Sequence, residues 1–145
     1  FVTAKYSKIP PEDAHEIAST LVSFGRQHQV DPKFTAALIA RESGFNRRAI
    51  SSSGAKGLGQ IKDMNYPNLN ISDPFDIRQN VSGTTQYIKS LLTLWKDRSE
   101  KVSLSLASYF KGPVAVSRNQ GVLDDQARAY VSDILVIYEQ LLTMK

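Results

Sequence analysis

The chain contains no cysteine, and only two histidines, His15 and His28, occur among its 145 residues. The first absence excludes structural disulfides and thiolate metal sites. Two histidines far from any carboxylate pair form no metal-ligand set, so neither a metal nor any other cofactor is expected. A lone histidine on or beside an amphipathic helix is usually structural, and neither is assigned a role. No apolar run approaches the ~18 residues that span a bilayer, so no integral membrane segment is expected. The opening FVTAKYSKIPPED lacks the basic start and apolar core of a signal peptide, and any targeting segment is expected to be absent from this chain. No stretch alternates apolar and polar residues as clearly as others repeat at helical spacing, which argues against strands.

The rest of the composition, 41% hydrophobic and 22% charged, suits a soluble globular protein. The length suits one compact domain over residues 1–145, expected to act as a monomer. The net charge of +4 is modest, but Arg41, Arg47, Arg48, Lys56 and Lys62 crowd one region, which favours an anionic polymer as partner. Nucleic acid is not expected, because the basic residues are not interleaved with aromatics and no nucleic-acid motif is present.

Residues 1–9 read as an extended lead-in. Pro10-Pro11 with Glu12 and Asp13 starts a helix in which Ile17, Leu21, Phe24 and His28 recur at helical spacing, ending before Asp31-Pro32. Asp31 caps a second helix whose residues Phe34, Ala36, Ala37, Leu38, Ile39 and Ala40 leave almost no polar face, so it is expected to be buried, and Gly44 stops it with a left-handed cap. FNRRAISSSGAKG has the composition of an ordered loop. GLGQIKDM has the makings of a short helix weakened by Gly57 and Gly59, and NYPNLNISDPFD reads as irregular chain. Asp73-Pro74 repeats the cap pairing and is expected to open a long helix from Pro74 to Trp95, with Trp95 in the core. A short buried helix spans Val102 to Phe110, Pro113 to Ser117 adds a turn, and Asp124 caps a final helix through Thr143. The chain therefore reads as all-α, with about five main helices around the second one.

That second helix carries Glu42, three residues after Ile39 and four after Leu38, hence on their side of the helix and against the core. A glutamate so placed is disfavoured in its charged form, and its raised pKa suits a general acid. Nearby cations oppose the shift, and the sequence leaves the balance open. Arg41 is the least expected of them to do so, since it points about 100° away around the helix. With Gln, Ser and Tyr nearby, a carboxylic acid over a glycine-walled cleft suggests acid-assisted cleavage of a sugar polymer. A capping or ion-paired glutamate is nonetheless the commoner use of such a residue. Ordinary glycosidases need a second carboxylate. Asp63, Asp73 and Asp76 are the candidates, and Asp73 is already assigned as a cap.

The stretch ALIARESGFNRRAISSSGAKGLGQ resembles the signature of the soluble lytic transglycosylase (SLT) domain of the lysozyme-like superfamily. There a helix ends in Glu-Ser, followed by Gly-Phe-Asn, Ser, Gly-Ala and Gly-Leu-Met-Gln. Glu42, Ser43, Gly44, Phe45, Asn46, Ser53, Gly54, Ala55, Gly57, Leu58 and Gln60 occupy those places. Asn80, Gly83 and Tyr87-Ile88 resemble the family's Asn-x-x-x-Gly-x-x-Tyr-Leu helix. LASYFKGPVAV resembles its Ala-x-Tyr-Asn-x-Gly segment, and Arg128 to Val131 its closing Arg-x-Tyr-Val. The matches run in order over about residues 12–140.

The resemblance implies a single lysozyme-like catalytic domain whose central buried helix carries a catalytic Glu42. It further implies peptidoglycan glycan strands as partner and a periplasmic or cell-envelope location. Glu42 would protonate the glycosidic oxygen between N-acetylmuramic acid and N-acetylglucosamine, then as carboxylate take the proton of the muramyl 6-hydroxyl, leaving a 1,6-anhydromuramyl end. Such intramolecular attack needs no second carboxylate. Ser43, Gln60 and Tyr109 would orient the glycan or the acid, and Gly59, Phe110 and Tyr130 complete the implied substrate-binding positions. Three departures stand out: Gly59 for the family's usual Met, Phe110 for its Asn and Gln126 for a frequent Glu. The first two are expected to affect glycan affinity and rate rather than reaction type. The competing expectations are a hydrolytic muramidase, with Asp63 or Asp76 across the cleft within about 10 Å of Glu42, and a non-catalytic peptidoglycan-binding module.

Overall fold

In a computed structural model that describes residues 6 and 8–144, every regular element is helical. The chain forms α1 (Pro11–His28), α2 (Pro32–Ser43), a 3-10 turn (Asp63–Asn65), α3 (Tyr66–Leu69), α4 (Ile77–Leu94), α5 (Lys101–Lys111), α6 (Pro113–Arg118) and α7 (Asp125–Thr143). Among the described residues the only β pairing is isolated bridges, Ile50 with Lys56 and Lys56 with Ile61. The expected lead-in over residues 1–9 falls largely outside the described residues. No helix among them is long and apolar enough to cross a membrane.

The all-apolar face pattern of α2 has a direct cause, because the helix is buried on two sides. Phe34, Ala37 and Leu38 join a cluster with Ile88, Leu91 and Trp95 of the α4 end, Leu104, Leu106 and Ala107 of α5, and Tyr130, Val131 and Ile134 of α7. Ile39 and Ala40 join a second cluster with Ile17, Leu21 and Phe24 of α1, Phe45, Leu58, Ile77 and Val81. A helix with one wet face needs only an apolar stripe, whereas α2 separates two cores and has none to spare. Its ends are set locally. The Asp31 carboxylate accepts from the Lys33 N–H at 2.9 Å and from the Tyr138 hydroxyl at 2.6 Å, and Gly44, at φ 59°, closes the helix with its N–H on the Ala40 carbonyl at 3.0 Å.

Three expectations fail between residues 57 and 76. Asp73-Pro74 does not open α4; Asp76 caps it, accepting from the Gln79 N–H at 2.9 Å. Asp73 instead accepts from Phe75 N–H in a turn, and the Gln79 side chain takes the N–H groups of Ser72 and Asp73. Two Asp residues three positions apart can each cap a helix, and the side chains of α4's first turn decide which does. GLGQIKDM is no helix either. Lys56 and Ile61 exchange both backbone hydrogen bonds at 3.1 Å, folding residues 57–60 into a tight loop, and only the 3-10 turn follows. Conversely, residues 66–69 of the stretch expected to be irregular form α3, with Tyr66, Leu69 and Ile71 packed on Ile61. Trp95 is buried as expected, and its indole N–H donates to Ser108 Oγ at 2.9 Å.

Leu38 is fully buried in the larger cluster. Leu38→Ala is expected to lower the unfolding free energy by about 3 kcal/mol, read as a shift in urea midpoint with an unchanged denaturant slope.

Candidate active site

Glu42 occupies the last turn of α2, where the helix emerges between the two cores into a cleft of about 570 Å³. The cleft is lined on one side by Ser51, Ser53, Ala55, Gln60, Ile61 and Lys62, and on the other by Tyr87 of α4 and by Tyr109 to Pro113 at the end of α5. Beyond the helix the backbone stays left-handed for one further residue, Phe45 at φ 64°, whose ring is buried in the second cluster. That burial offsets the cost of a conformation a bulky residue seldom adopts.

The wall facing Glu42 is held by one buried amide. Asn80 Oδ1 accepts from the Gly59 N–H at 2.8 Å and the Thr84 hydroxyl at 3.1 Å, while its Nδ2 donates to the carbonyls of Lys56 at 3.2 Å and Pro74 at 2.8 Å. All four of its hydrogen-bonding valences are used. Gly57, at φ 79°, lies so close that a Cβ there would run into the Pro74 carbonyl and the Asn80 amide. Gln60 is also left-handed, at φ 53°. Its side-chain amide donates to the carbonyls of Ala49 at 3.1 Å and Gly57 at 3.0 Å, which ties the strained residue into the wall.

Burial pushes the Glu42 carboxyl up from 4.5 to about 7, against the opposing pull of Arg41 and a smaller one from the Tyr130 hydroxyl. The balance left open by the sequence thus falls to desolvation. Arg41, the cation least expected to act on Glu42, is the one that does. Its Nε is shared with Asp133 at 3.1 Å, which limits its effect. Arg47 is drawn instead toward Asp13 at 3.6 Å. Of the five crowded cations only Lys62 lines the cleft. Two phenols flank the acid. The Tyr109 hydroxyl is enclosed although the ring edge reaches the cleft; it donates to the Gly59 carbonyl at 2.6 Å, and burial and the Glu42 charge push its pKa far up. Tyr130 is 1% exposed. Its hydroxyl is close enough to Glu42 to favour the charged form, yet it makes no bond of ordinary geometry to Glu42 or to any other group.

The expected site residues separate into two groups. Glu42, Gln60, Tyr109 and Phe110 line the cleft together. Ser43 does not; its hydroxyl donates back to the Ile39 carbonyl at 3.2 Å. Gly59 is buried behind the wall, where a Cβ would run into Thr84 Oγ1, and Tyr130 lies beneath Phe110 rather than on the cleft surface. Lining residues not singled out from the sequence include Met64, Asn65 and Lys111. Tyr87, named above only for its match to the family's helix pattern, also faces the cleft, with its ring 5.2 Å from that of Tyr109. Its place in the family's Tyr-Leu pattern was the available signal. Glu42 is the only acidic residue among those lining the cleft. Asp76 is engaged as a helix cap, and Asp63 lies in the 3-10 turn outside the lining.

A family model described as Transglycosylase SLT domain matches residues 22–131. Similar curated proteins include Membrane-bound lytic murein transglycosylase F of Pectobacterium atrosepticum, 33% identical over 86 residues, or 57% of this chain and 18% of that protein. The Transglycosylase of Enterobacteria phage PRD1 is 29% identical over 93 residues, 64% of this chain and 34% of that one. The chain therefore spans only between 18% and 34% of the length of these relatives. Among solved structures, an inactive mutant of lytic transglycosylase Slt from Pseudomonas aeruginosa superposes with a TM-score of 0.70 at 23% identity, covering 86% of this chain and 24% of that chain. That likeness establishes a shared lysozyme-like, all-helical fold.

The raised carboxyl sets the sign of a stability change. The folded protein binds the Glu42 proton more tightly than the unfolded chain does. Ionising it therefore costs folding nothing below pH 4.5 and about 3 kcal/mol above pH 7. Glu42→Gln is expected to be more stable than wild type by up to that amount at pH 8 and equal to it at pH 4, as measured by urea unfolding at both values. Asn80→Ala orphans the buried Gly59 N–H and the Pro74 carbonyl. It should lower stability by about 3 kcal/mol in the same assay.

Proposed function

We propose, since the chain belongs to the transglycosylase SLT domain family, that it cleaves peptidoglycan glycan strands without water, with Glu42 as the single acid and base. The observation that carries the reading is a protonatable carboxyl, raised to about 7, alone among acidic residues in lining the cleft. In the first half of the reaction the Glu42 proton passes to the glycosidic oxygen as its bond to the muramyl C1 breaks. In the second half the muramyl 6-hydroxyl oxygen bonds to C1 and its proton returns to the Glu42 carboxylate. No water is consumed, the acid is regenerated, and the ends released are N-acetylglucosamine and 1,6-anhydromuramic acid. Holding the sugar's own hydroxyl near C1 replaces the activated water a hydrolase would need.

The residues around the acid suit both halves. Burial keeps the resting acid protonated up to about pH 7, and the Tyr130 hydroxyl is placed to donate to the carboxylate when the proton leaves. Gln60 and the Ser51 and Ser53 hydroxyls offer hydrogen bonds to glycan along one wall. Asp63 and Asp76 lie outside the lining, which argues against the hydrolytic alternative. A wall substrate places the protein in the bacterial periplasm or cell envelope.

Digestion of purified sacculi is expected to release anhydromuropeptides by mass spectrometry, and products heavier by one water would overturn the reading in favour of hydrolysis. Glu42→Gln should reduce release by about a thousandfold. If wild type and variant both sediment with sacculi and neither releases fragments, the protein is a binding module. Because the acid must start protonated, kcat/KM should be level at acidic pH and fall as pH rises through about 7.

A further inference from the structure

Phe110 lines the cleft and is 40% exposed, yet its ring is engaged within the protein. It stacks on Tyr130 with centroids 4.5 Å apart and planes 10° from parallel. Each ring of the pair carries a cation: the Arg41 guanidinium lies 5.2 Å from the Tyr130 centroid and the Lys111 ammonium 5.0 Å from that of Phe110. These cations are themselves fixed. Arg41 is held by Asp133 at 3.1 Å, and Lys111 by Asp124 at 3.3 Å and by Gln126 Oε1, which accepts from it at 2.9 Å. Near-parallel stacking at this separation and a cation close to each ring both favour the arrangement. The outcome is a row of four side chains drawn from α2, α7 and α5. Two of the chain's three departures from the family pattern belong to it, Phe110 directly and Gln126 through Lys111.

The Tyr130 hydroxyl is buried beside Glu42, in reach of its carboxyl but without a hydrogen bond of ordinary geometry. A polar group so loosely satisfied does little to fix its own position, so the packing of its ring in the core and under Phe110 sets where it lies. We propose that Phe110 is a positioning residue for Glu42: by stacking on Tyr130 it holds that hydroxyl ready to donate to the carboxylate formed when the acid gives up its proton. A neutral carboxylic acid is the weaker acceptor and a carboxylate the stronger. A donor already in place therefore acts more on the transition state than on the resting complex, and needs no reorganisation as charge develops.

The other charged or titratable groups around Glu42 are Arg41 on its own helix, Tyr109 and Lys111 from α5, Tyr87 from α4, and Lys62 from the loop wall. Of these, Arg41 also favours the carboxylate, and it touches the same Tyr130 ring.

The inference rests on the acid role proposed for Glu42, and its test is chosen to stand apart from turnover. The Glu42 titration is followed by carbon NMR without glycan in wild type, Phe110→Leu, Phe110→Tyr, Tyr130→Phe and the double variant Phe110→Leu/Tyr130→Phe. The kcat and KM of each are measured on glycan strands. Phe110→Leu is expected to move the Glu42 midpoint upward and lower kcat about tenfold, with KM within about twofold. Phe110→Tyr, which keeps a flat ring, should restore both. In the Tyr130→Phe background, Phe110→Leu should change neither.

An unmoved midpoint with a raised KM would make Phe110 a glycan contact only. A midpoint that moves down would make it only a barrier to water. An effect of Phe110→Leu that persists without the Tyr130 hydroxyl would show that the two do not act together. Each of these results overturns the proposal. If wild type releases no anhydromuropeptides, the functional reading fails, and the titration still decides this one.

Discussion

One amide ties the cleft together. Asn80 joins three separate parts of the chain: the loop at Lys56 and Gly59, the turn at Pro74, and its own helix at Thr84. The wall it holds contains almost no regular structure, only two isolated bridges and a four-residue loop. Such a segment has little local reason to keep one conformation. The saturated buried amide supplies that reason, because any shift in register leaves a donor or acceptor unpaired in a place water does not reach. With the Lys56–Ile61 pair and the Gln60 amide's own bonds to Ala49 and Gly57, Asn80 fixes where Gln60 stands in the wall of the cleft.

The opposite wall is fixed by packing. With α2 clamped between two apolar clusters, the backbone that carries the carboxylate is fixed, and burial at the end of that helix disfavours its charge. Three unfavourable features meet at this place: a buried acid, a left-handed Gln60 and a buried phenol without a hydrogen bond of ordinary geometry. Such features persist where the surrounding structure over-determines them, as the two clusters and the Asn80 amide do here.

Much of this was legible in the residues. The apolar α2, its Asp31 cap and its Gly44 stop could be read directly, because each depends on local sequence. The α7 helix with its cap at Asp124 was legible for the same reason. What escaped depended on side chains meeting across the fold. Asp73 and Asp76 are equally good caps in isolation, and the choice belongs to Gln79 and Asn80, which pull the preceding turn onto the helix start. The loop at 57–60 has a mixed pattern that fits a weak helix until the Asn80 contact is known. Arg41 was expected to point away from Glu42, and it does reach for Asp133, but proximity along the chain still leaves its charge felt at the carboxyl. Glu42 itself was identifiable as a core-side carboxylate. That it would be the sole acid in the cleft was not, since this depends on where Asp63 and Asp76 come to lie.

Gly59 and Thr84 share one small volume. A side chain at position 59 would occupy the space that Thr84 Oγ1 now fills, with the Tyr109 hydroxyl only 2.8 Å from its Cβ. The loop and the helix therefore divide that space between them, and whatever one position gains the other has to give up. The size of a side chain that never touches the cleft surface thus sets how closely the loop can lie against α4.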